Sequence, residues 1–258
     1  MKNSNKVALI TGSSTGVGAA TCIKLAKLGW NVVVNYSKSE KEANQTAAAC
    51  EQLGAEVLVC QANVANDEAC KGMVAKTMEK WGRLDALVNN AGKTKFCPYD
   101  NLDGLNKADF LDIYEVNLVG AYQMSRAAAP FLKNAEDGVI VNTSSTSAIS
   151  GLGSSIAYAS SKGALTTMTL SLAHALAPKI RVNAVCPGFI EGSWLKGLLG
   201  EQFDTVKESF EKKALVNRVC LPEDVADSIV YLIAHARMLT GEIITIDGGN
   251  LANRQMLR

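Results

Sequence analysis

The stretch Val7-Ala8-Leu9-Ile10-Thr11-Gly12-Ser13-Ser14-Thr15-Gly16-Val17-Gly18 decides the fold of this 258-residue chain. It reads as a short apolar strand, a turn with three glycines and the start of a helical pattern. Glycines let the backbone turn sharply and approach a pyrophosphate, and the helix that follows offers unpaired N–H groups. The same turn can also exist without a ligand. Its place between the first strand and the first helix favours a dinucleotide site made by Gly12, Ser14, Thr15, Gly16, Val17 and Gly18.

Short apolar runs alternate with longer helical patterns along the rest of the chain. Strands are predicted at 7–10, 32–34, 57–59, 86–88, 139–141, 182–185 and 243–246, and helices at 17–28, 40–53, 67–81, 115–133, 157–176 and 222–235. Continuous apolar runs indicate strands that are buried on both faces, as in a parallel sheet. We therefore predict one α/β domain over 1–258: a Rossmann fold with a doubly wound parallel sheet of about seven strands and helices on both faces. Residues 192–215 interrupt the alternation and are predicted to form a substrate lid.

The composition argues against several classes of protein. A formal net charge of +1 gives no reason to expect nucleic acid or an anionic membrane surface as a partner. No apolar run is long enough to span a bilayer, and the first six residues lack the apolar core of a signal peptide. Seven cysteines without a C-x-x-C pair, and only two histidines, make a metal site unexpected. We expect free thiols and a cytoplasmic protein without a metal.

The stretch Tyr158-Ala-Ser-Ser-Lys162 is the strongest candidate for catalysis. In a helix it puts a phenol and an ammonium on one face, one turn apart. A nearby cation lowers the pKa of a tyrosine from its usual value of about 10. Such a phenol can give a proton to a carbonyl oxygen or take one from an alcohol. The same pair is common on solvated helix faces, so the spacing alone does not decide.

Three motifs in fixed order carry a family resemblance: Thr11-Gly12-xxx-Gly16-x-Gly18, Asn89-Asn90-Ala91-Gly92 and Tyr158-xxx-Lys162. With them the chain resembles the classical branch of the short-chain dehydrogenase/reductase family, from Lys6 to the ending Ile246-Asp247-Gly248-Gly249. The resemblance implies a catalytic tetrad of Asn117, Ser145, Tyr158 and Lys162, with Ser144 as the neighbouring alternative to Ser145.

The resemblance also implies a role for each tetrad residue. Tyr158 is the general acid or base, and Ser145 holds and polarises the substrate oxygen. Lys162 lowers the pKa of Tyr158 and binds the nicotinamide ribose. The backbone of Asn117 positions a water that connects Lys162 with solvent.

The loop after the second strand bears on the choice of cofactor. The sequence Val34-Asn35-Tyr36-Ser37-Lys38 contains no acidic residue, and the first one to follow is Glu40. An acid here would favour NAD, whereas Ser37 and Lys38 suit the extra phosphate of NADP. We expect NADP(H), with NAD(H) as the alternative, because Lys38 could equally be an exposed loop lysine. The other cofactor contacts implied by the resemblance are Asn35, Tyr36, Asn63 (where the family usually has aspartate), Val64, Asn90, Ala91, Gly92, Thr143, Pro187, Gly188 and Ile190, besides Tyr158 and Lys162.

A mainly apolar set is expected to line the substrate cleft: Thr94, Phe96, Ser145, Ile156, Tyr158, Phe189 and Trp194. Lys93 and Lys95 near its mouth could attract an acidic carrier protein or could be plain surface charges. The resemblance implies reduction of a small-molecule carbonyl, or oxidation of a secondary alcohol, by a homotetramer similar to 3-oxoacyl carrier-protein reductases. The alternative is a catalytically silent dinucleotide-sensing protein, which would have no need for the phenol and the ammonium together.

Overall fold

The computed structural model describes residues 5–253. This part of the chain forms one parallel sheet of seven strands with helices on both faces, as the sequence predicts. The strands are β1 Val7–Ile10, β2 Asn31–Tyr36, β3 Val57–Gln61, β4 Ala86–Asn89, β5 Gly138–Thr143, β6 Ile180–Pro187 and β7 Ile243–Ile246. The helices are α1 Gly16–Lys27, α2 Glu40–Glu51, α3 Asp67–Trp81, α4 Lys107–Tyr114, α5 Ala121–Leu132, α6 Ser147–Ser150, α7 Ile156–Leu176, α8 Ser193–Leu199, α9 Phe203–Lys213 and α10 Pro222–Ala234. The end of the tail, residues 254–258, lies outside the described residues.

The strand order is β3-β2-β1-β4-β5-β6-β7, and every pairing is parallel. The order reverses direction between β1 and β4, and this leaves a crevice at the carboxyl ends of those two strands. Ligands of open parallel sheets bind in such a crevice. The glycine turn after β1 and the Asn90-Ala91-Gly92 segment after β4 therefore meet at one place.

Alternate residues of β1 pack into two separate hydrophobic cores, one on each face of the sheet. Ala8 and Ile10 pack under α1, α2 and α10, whereas Val7 and Leu9 pack under α3, α5 and α7. All four side chains are fully buried. Burying a leucine or isoleucine contributes about 1.5–3 kcal/mol, so the central strands hold both helical layers in place. This explains why the strands read as apolar runs and do not alternate with polar residues.

The predicted helix 115–133 begins earlier and is interrupted. It starts at α4, where the side chain of Asn106 accepts hydrogen bonds from the Ala108 and Asp109 amides and Asp109 accepts one from the Asn106 amide. A π-helical turn, Glu115–Gly120, then joins α4 to α5. The sequence prediction missed α4 because its start depends on this cap and its apolar face is short, with Ile113 alone buried.

The predicted lid segment 192–215 is helical. It contains α8, a 3₁₀ turn at Gly200–Gln202, and α9. The ring of Phe189, just after β6, lies 5.7 Å from the ring of Phe203 and 5.0 Å from that of Phe210. These contacts attach the segment to the end of the sheet. No helix among residues 5–253 has the length and apolar character to cross a membrane.

Candidate active site

Two of the three glycines in the turn are required by packing, and the third leaves open space. A Cβ on Gly12 would lie 2.8 Å from the Ala91 Cα, and one on Gly18 would lie 2.6 Å from the Gly12 oxygen. Gly16 has a φ of +57°, and a Cβ there would meet nothing within 4 Å. This open space lies at the start of α1, where a pyrophosphate would accept hydrogen bonds from backbone N–H groups.

Asn35 and Asn90 hold this turn in shape. The Asn35 Oδ1 accepts a hydrogen bond of 2.9 Å from the Gly12 amide, and its Nδ2 donates to the Cys60 and Ala62 carbonyls. The Asn90 Nδ2 donates to the Thr11 and Gly12 carbonyls at 3.0 and 2.9 Å. Asn35 is a predicted cofactor contact, and its buried side chain supports the turn through these hydrogen bonds to the backbone.

The end of β2 exposes Ser37 and Lys38. The Ser37 carbonyl accepts a hydrogen bond from the Gln61 side chain, which fixes the loop against β3. Tyr36 is buried, and its pKa is raised by burial and then by the adjacent Glu40 carboxylate. The nearest acid is therefore next to the Tyr36 phenol, while Ser37 and Lys38 stay accessible to an anion.

Asn63 and Val64 form the turn after β3. The Asn63 Oδ1 accepts a hydrogen bond from the Ala65 amide at 3.1 Å. Val64 is buried, and a Cβ on Gly120 would lie 2.7 Å from its Cγ2. Val64 thus packs against the π turn.

The four predicted tetrad residues come together from three parts of the chain. Ser145 follows β5, Tyr158 and Lys162 lie one turn apart on α7, and Asn117 lies in the π turn. The Lys162 Nζ is 5.8 Å from the centre of the Tyr158 ring. A Cβ on Gly92 would lie 3.8 Å from the Lys162 Nζ and 3.7 Å from the Asn117 Oδ1. The loop after β4 therefore passes directly over the lysine.

Burial has the largest effect on the pKa values of Tyr158 and Lys162. It raises the pKa of Tyr158 to about 12, against the lowering effect of a hydrogen bond with Ser145. Burial also lowers the pKa of Lys162 to about 8. The sequence predicts a tyrosine pKa lowered by the lysine, and the structure does not show this. The reason is that Lys162 is buried and Tyr158 half-buried, and loss of contact with water disfavours the charged form of each.

The side chain of Asn117 is fully engaged. Its Oδ1 accepts the Lys93 amide at 2.7 Å, and its Nδ2 donates to the Lys93 carbonyl and to the Ser161 Oγ, each at 2.9 Å. Ser161 in turn donates to the Tyr158 carbonyl. Asn117 thus ties the loop after β4 to α7. The sequence analysis missed Ser161, and only its position three residues after Tyr158 could have indicated it.

Ser144 and Ser145, which follow β5, contact different parts of the fold. The Ser144 Oγ donates to the Lys162 carbonyl at 3.0 Å and lies 2.9 Å from the Thr166 Oγ1, so it is tied to the backbone of α7. The Ser145 Oγ donates a hydrogen bond of 3.1 Å to the Ser147 Oγ, and it opposes the larger effect of burial on the pKa of Tyr158. Of the two, Ser145 is the one beside the phenol.

The predicted substrate residues fall into two groups. Thr94 and Ile156 are half-buried, and the Thr94 Oγ1 lies 2.5 Å from the Ser154 Oγ. Phe96 and Trp194 are exposed. Phe189 is half-buried as well, and its ring packs against the segment 192–215.

The lysines near the mouth are paired within the chain. Lys93 bonds Asp112 at 2.5 Å, and Lys95 bonds Asp109 at 2.8 Å, both on α4. Their charges are therefore partly balanced. This weakens the idea that they attract an acidic carrier.

The remaining predicted cofactor residues fit a dinucleotide. The Thr143 Oγ1 is buried and has no hydrogen-bond partner among the described residues. The Pro187 carbonyl accepts the Thr146 amide, and Gly188 leaves no room for a Cβ beside Asp247. Ile190 pairs with Cys220 in an isolated bridge. An open glycine cradle at one end and an unpartnered hydroxyl near Lys162 at the other suit a ligand with a phosphate part and a polar ring part.

Comparison with known proteins agrees with this geometry. A family model described as enoyl-(acyl carrier protein) reductase matches residues 12–250. A Streptomyces violaceoruber protein named "Granaticin polyketide synthase putative ketoacyl reductase 2" is 37% identical over 94% of this chain and 95% of its own. The 3-oxoacyl-acyl-carrier-protein reductase FabG of Staphylococcus aureus is 33% identical over 95% of this chain and 97% of its own. A solved structure of NAD⁺-bound xylitol dehydrogenase superposes with a TM-score of 0.87 at 26% identity, over 96% of this chain and all of that one.

Proposed function

The chain belongs to the classical short-chain dehydrogenase/reductase family and transfers a hydride between a nicotinamide cofactor and a carbonyl or secondary alcohol; on this premise we propose that it is an NADPH-dependent ketone reductase. The observation that carries the choice of NADPH is the end of β2. Exposed Ser37 and Lys38 stand where an acid would select NAD, and Glu40 is close to the Tyr36 phenol. A serine hydroxyl and a lysine ammonium suit a phosphate monoester.

The tetrad residues have the following proposed roles. Tyr158 gives its proton to the carbonyl oxygen during reduction, and its raised pKa keeps it protonated at neutral pH. Ser145 donates a hydrogen bond to the same oxygen as negative charge develops there. Lys162 stands next to the Tyr158 ring and supplies a positive charge close to the reacting groups. The alternative of a silent dinucleotide sensor is not favoured, since it leaves this arrangement without a purpose.

The cofactor supplies the hydride when bound, so the protein has to bind and orient it. We propose that Gly16 and the start of α1 hold the pyrophosphate, because the space there is open. Val64, Ala91 and Gly92 would border the adenosine and ribose. Thr143, Lys162 and the backbone near Ile190 would hold the nicotinamide end, where the unpartnered Thr143 hydroxyl offers a hydrogen bond.

We propose an apolar or mixed ketone as substrate. Exposed Phe96 and Trp194 and half-buried Ile156 border the expected cleft, and the two lysines near its mouth are paired with acids of α4. A strongly anionic substrate would find little free positive charge here. The names of two relatives contain ketoacyl or 3-oxoacyl reductase, which makes β-keto esters and thioesters the first compounds to test.

We also propose a cytoplasmic homotetramer. α5 and the adjoining π turn expose Tyr122 and Val119, and α7 exposes Leu170, so both helices carry apolar surface that a second copy of the chain could cover. The seven cysteines are free and buried within the described range, which suits a reducing compartment. Sedimentation of the purified protein tests the assembly, and a monomer would contradict it.

The deciding experiment measures oxidation of NADPH and NADH by the purified protein against β-keto esters, β-keto thioesters, aryl ketones, diketones and sugars. We expect turnover with NADPH well above that with NADH and a preference for apolar β-keto compounds. Turnover that favours NADH would reject the cofactor proposal alone. Tight dinucleotide binding without any turnover would favour the sensor.

A further inference from the structure

A second serine lies beside Ser145 at the start of α6. Ser147 is 6% exposed, and its Oγ accepts a hydrogen bond of 3.1 Å from the Ser145 Oγ. The Ser147 backbone amide donates to the same Ser145 Oγ, also at 3.1 Å. Two groups of one residue therefore converge on the hydroxyl that faces Tyr158.

The space for this pair depends on Gly153. A Cβ on Gly153 would lie 2.5 Å from the Ser147 Oγ and 3.3 Å from the Tyr158 Cδ1. The φ of Gly153 is not positive, so the backbone conformation there does not itself require glycine. Glycine is needed because the Ser147 hydroxyl and the Tyr158 ring occupy the room that a side chain would take.

A count of donors and acceptors shows what Ser147 can do. A serine hydroxyl has one hydrogen and two acceptor positions. The single hydrogen of Ser145 goes to the Ser147 Oγ, and the Ser147 amide donates to the Ser145 oxygen. Together the two bonds fix the orientation of the Ser145 side chain. The Ser145 hydrogen can then turn from the Ser147 Oγ to a substrate oxygen while the amide keeps the Ser145 oxygen in place.

We propose that Ser147 is a positioning residue that holds the Ser145 hydroxyl in place for the substrate oxygen. Two hydrogen bonds with one residue restrict the Ser145 side chain to one orientation, and reacting groups depend on such orientation. This inference rests on the proposed function, because it assigns a step of the same reaction. It concerns a residue that does not itself touch the reacting atoms.

The test compares Ser147→Ala with the wild type and with Ser160→Ala, an exposed serine of α7 whose Oγ donates only to the Ile156 carbonyl of its own helix. We expect Ser147→Ala to lower kcat by about tenfold, as one lost hydrogen bond would, with dinucleotide affinity unchanged. In alcohol oxidation, which needs the phenolate, the rise of rate with pH should move to higher pH. A Ser145 that is less well positioned stabilises the phenolate less. Ser160→Ala should match the wild type.

Gly153→Ala provides an independent approach to the same contact, because its new methyl would displace the Ser147 hydroxyl. It should reproduce the loss in kcat and add little in a Ser147→Ala background, since both changes remove one interaction. An unchanged kcat in Ser147→Ala would overturn the inference and leave the proposed function standing. A shift of the oxidation profile to lower pH would also overturn it, since Ser147 would then compete for the Ser145 hydrogen. A wild type that reduces no carbonyl would overturn the proposed function, and this inference with it.

Discussion

The Lys162 Nζ donates a hydrogen bond of 2.7 Å to the carbonyl oxygen of Thr143. The lysine on α7 is thus tied to the end of β5, just before Ser145. Lys162 is buried and Tyr158 is half-buried, and their removal from water holds each toward its neutral form. The geometry of this proposed catalytic pair depends on its attachment to the sheet as much as on its spacing along the helix.

The first prediction follows from the lowered pKa of Lys162. The folded protein releases this proton near pH 8, whereas the unfolded chain keeps it to about the ordinary value of 10.5. Between these values the unfolded state binds more protons, so the lysine's contribution to the free energy of unfolding rises with pH. Lys162→Met should therefore be most stabilising, relative to wild type, below pH 8. The stability difference should shrink as pH rises through this window, and urea unfolding at several pH values measures it. A constant difference would contradict the burial effect.

The second prediction concerns Tyr158. Tyr158→Phe removes the proton donor and should lower kcat by about 100-fold or more, the usual contribution of general acid catalysis. Affinity for the dinucleotide should be unchanged, as measured by its fluorescence. Tyr231→Phe, an exposed tyrosine of α10, is the matched control and should keep full activity. Substantial turnover in Tyr158→Phe would require another proton donor.

A third prediction tests the cofactor site at the end of β2. Ser37→Asp places a carboxylate where the extra phosphate of NADP is proposed to lie, so it should lower kcat/KM for NADPH and favour NADH. Ser171→Asp adds the same charge on the exposed face of α7 and serves as the control. The measured quantity is the ratio of kcat/KM values for the two cofactors. An unchanged ratio in Ser37→Asp would count against this site.

The fourth prediction separates two helical glycines by their surroundings. A Cβ on Gly18 would lie 2.6 Å from both the Gly12 oxygen and the Ser13 Cα, whereas one on Gly72 of α3 would meet nothing within 4 Å. Gly72→Ala should raise the free energy of unfolding by about 0.5–1 kcal/mol through lower chain entropy. Gly18→Ala should lower it and weaken dinucleotide binding. Thermal unfolding with and without NADPH distinguishes them, and equal effects would contradict the close packing of the turn.

The last prediction tests the proposed lid. The Phe210 ring packs 5.0 Å from that of Phe189 and attaches α9 to the end of β6. Phe210→Ala should raise KM for the carbonyl substrate severalfold and leave dinucleotide affinity unchanged. Phe210→Leu, which keeps most of the apolar volume, should show a smaller effect. If neither variant changes KM, the segment 192–215 has no part in substrate binding.

The sequence alone determined the fold and the candidate site to a large extent. Runs such as Val7–Ile10 indicated buried parallel strands because burial on both faces requires apolar residues throughout. The glycine turn and the spacing of Tyr158 and Lys162 are local patterns, so they can be recognised without knowing what surrounds them.

Only the tertiary structure decided what these residues meet across the fold. It showed that the Asn35 side chain supports the glycine turn, and it raised the pKa of Tyr158 where the sequence predicted a lower one. It also placed the Ser147 hydroxyl and the Tyr158 ring against Gly153, so that a side chain at Gly153 would have no room. Burial and hydrogen-bond partners depend on contacts between distant segments, whereas a sequence pattern records only neighbours along the chain.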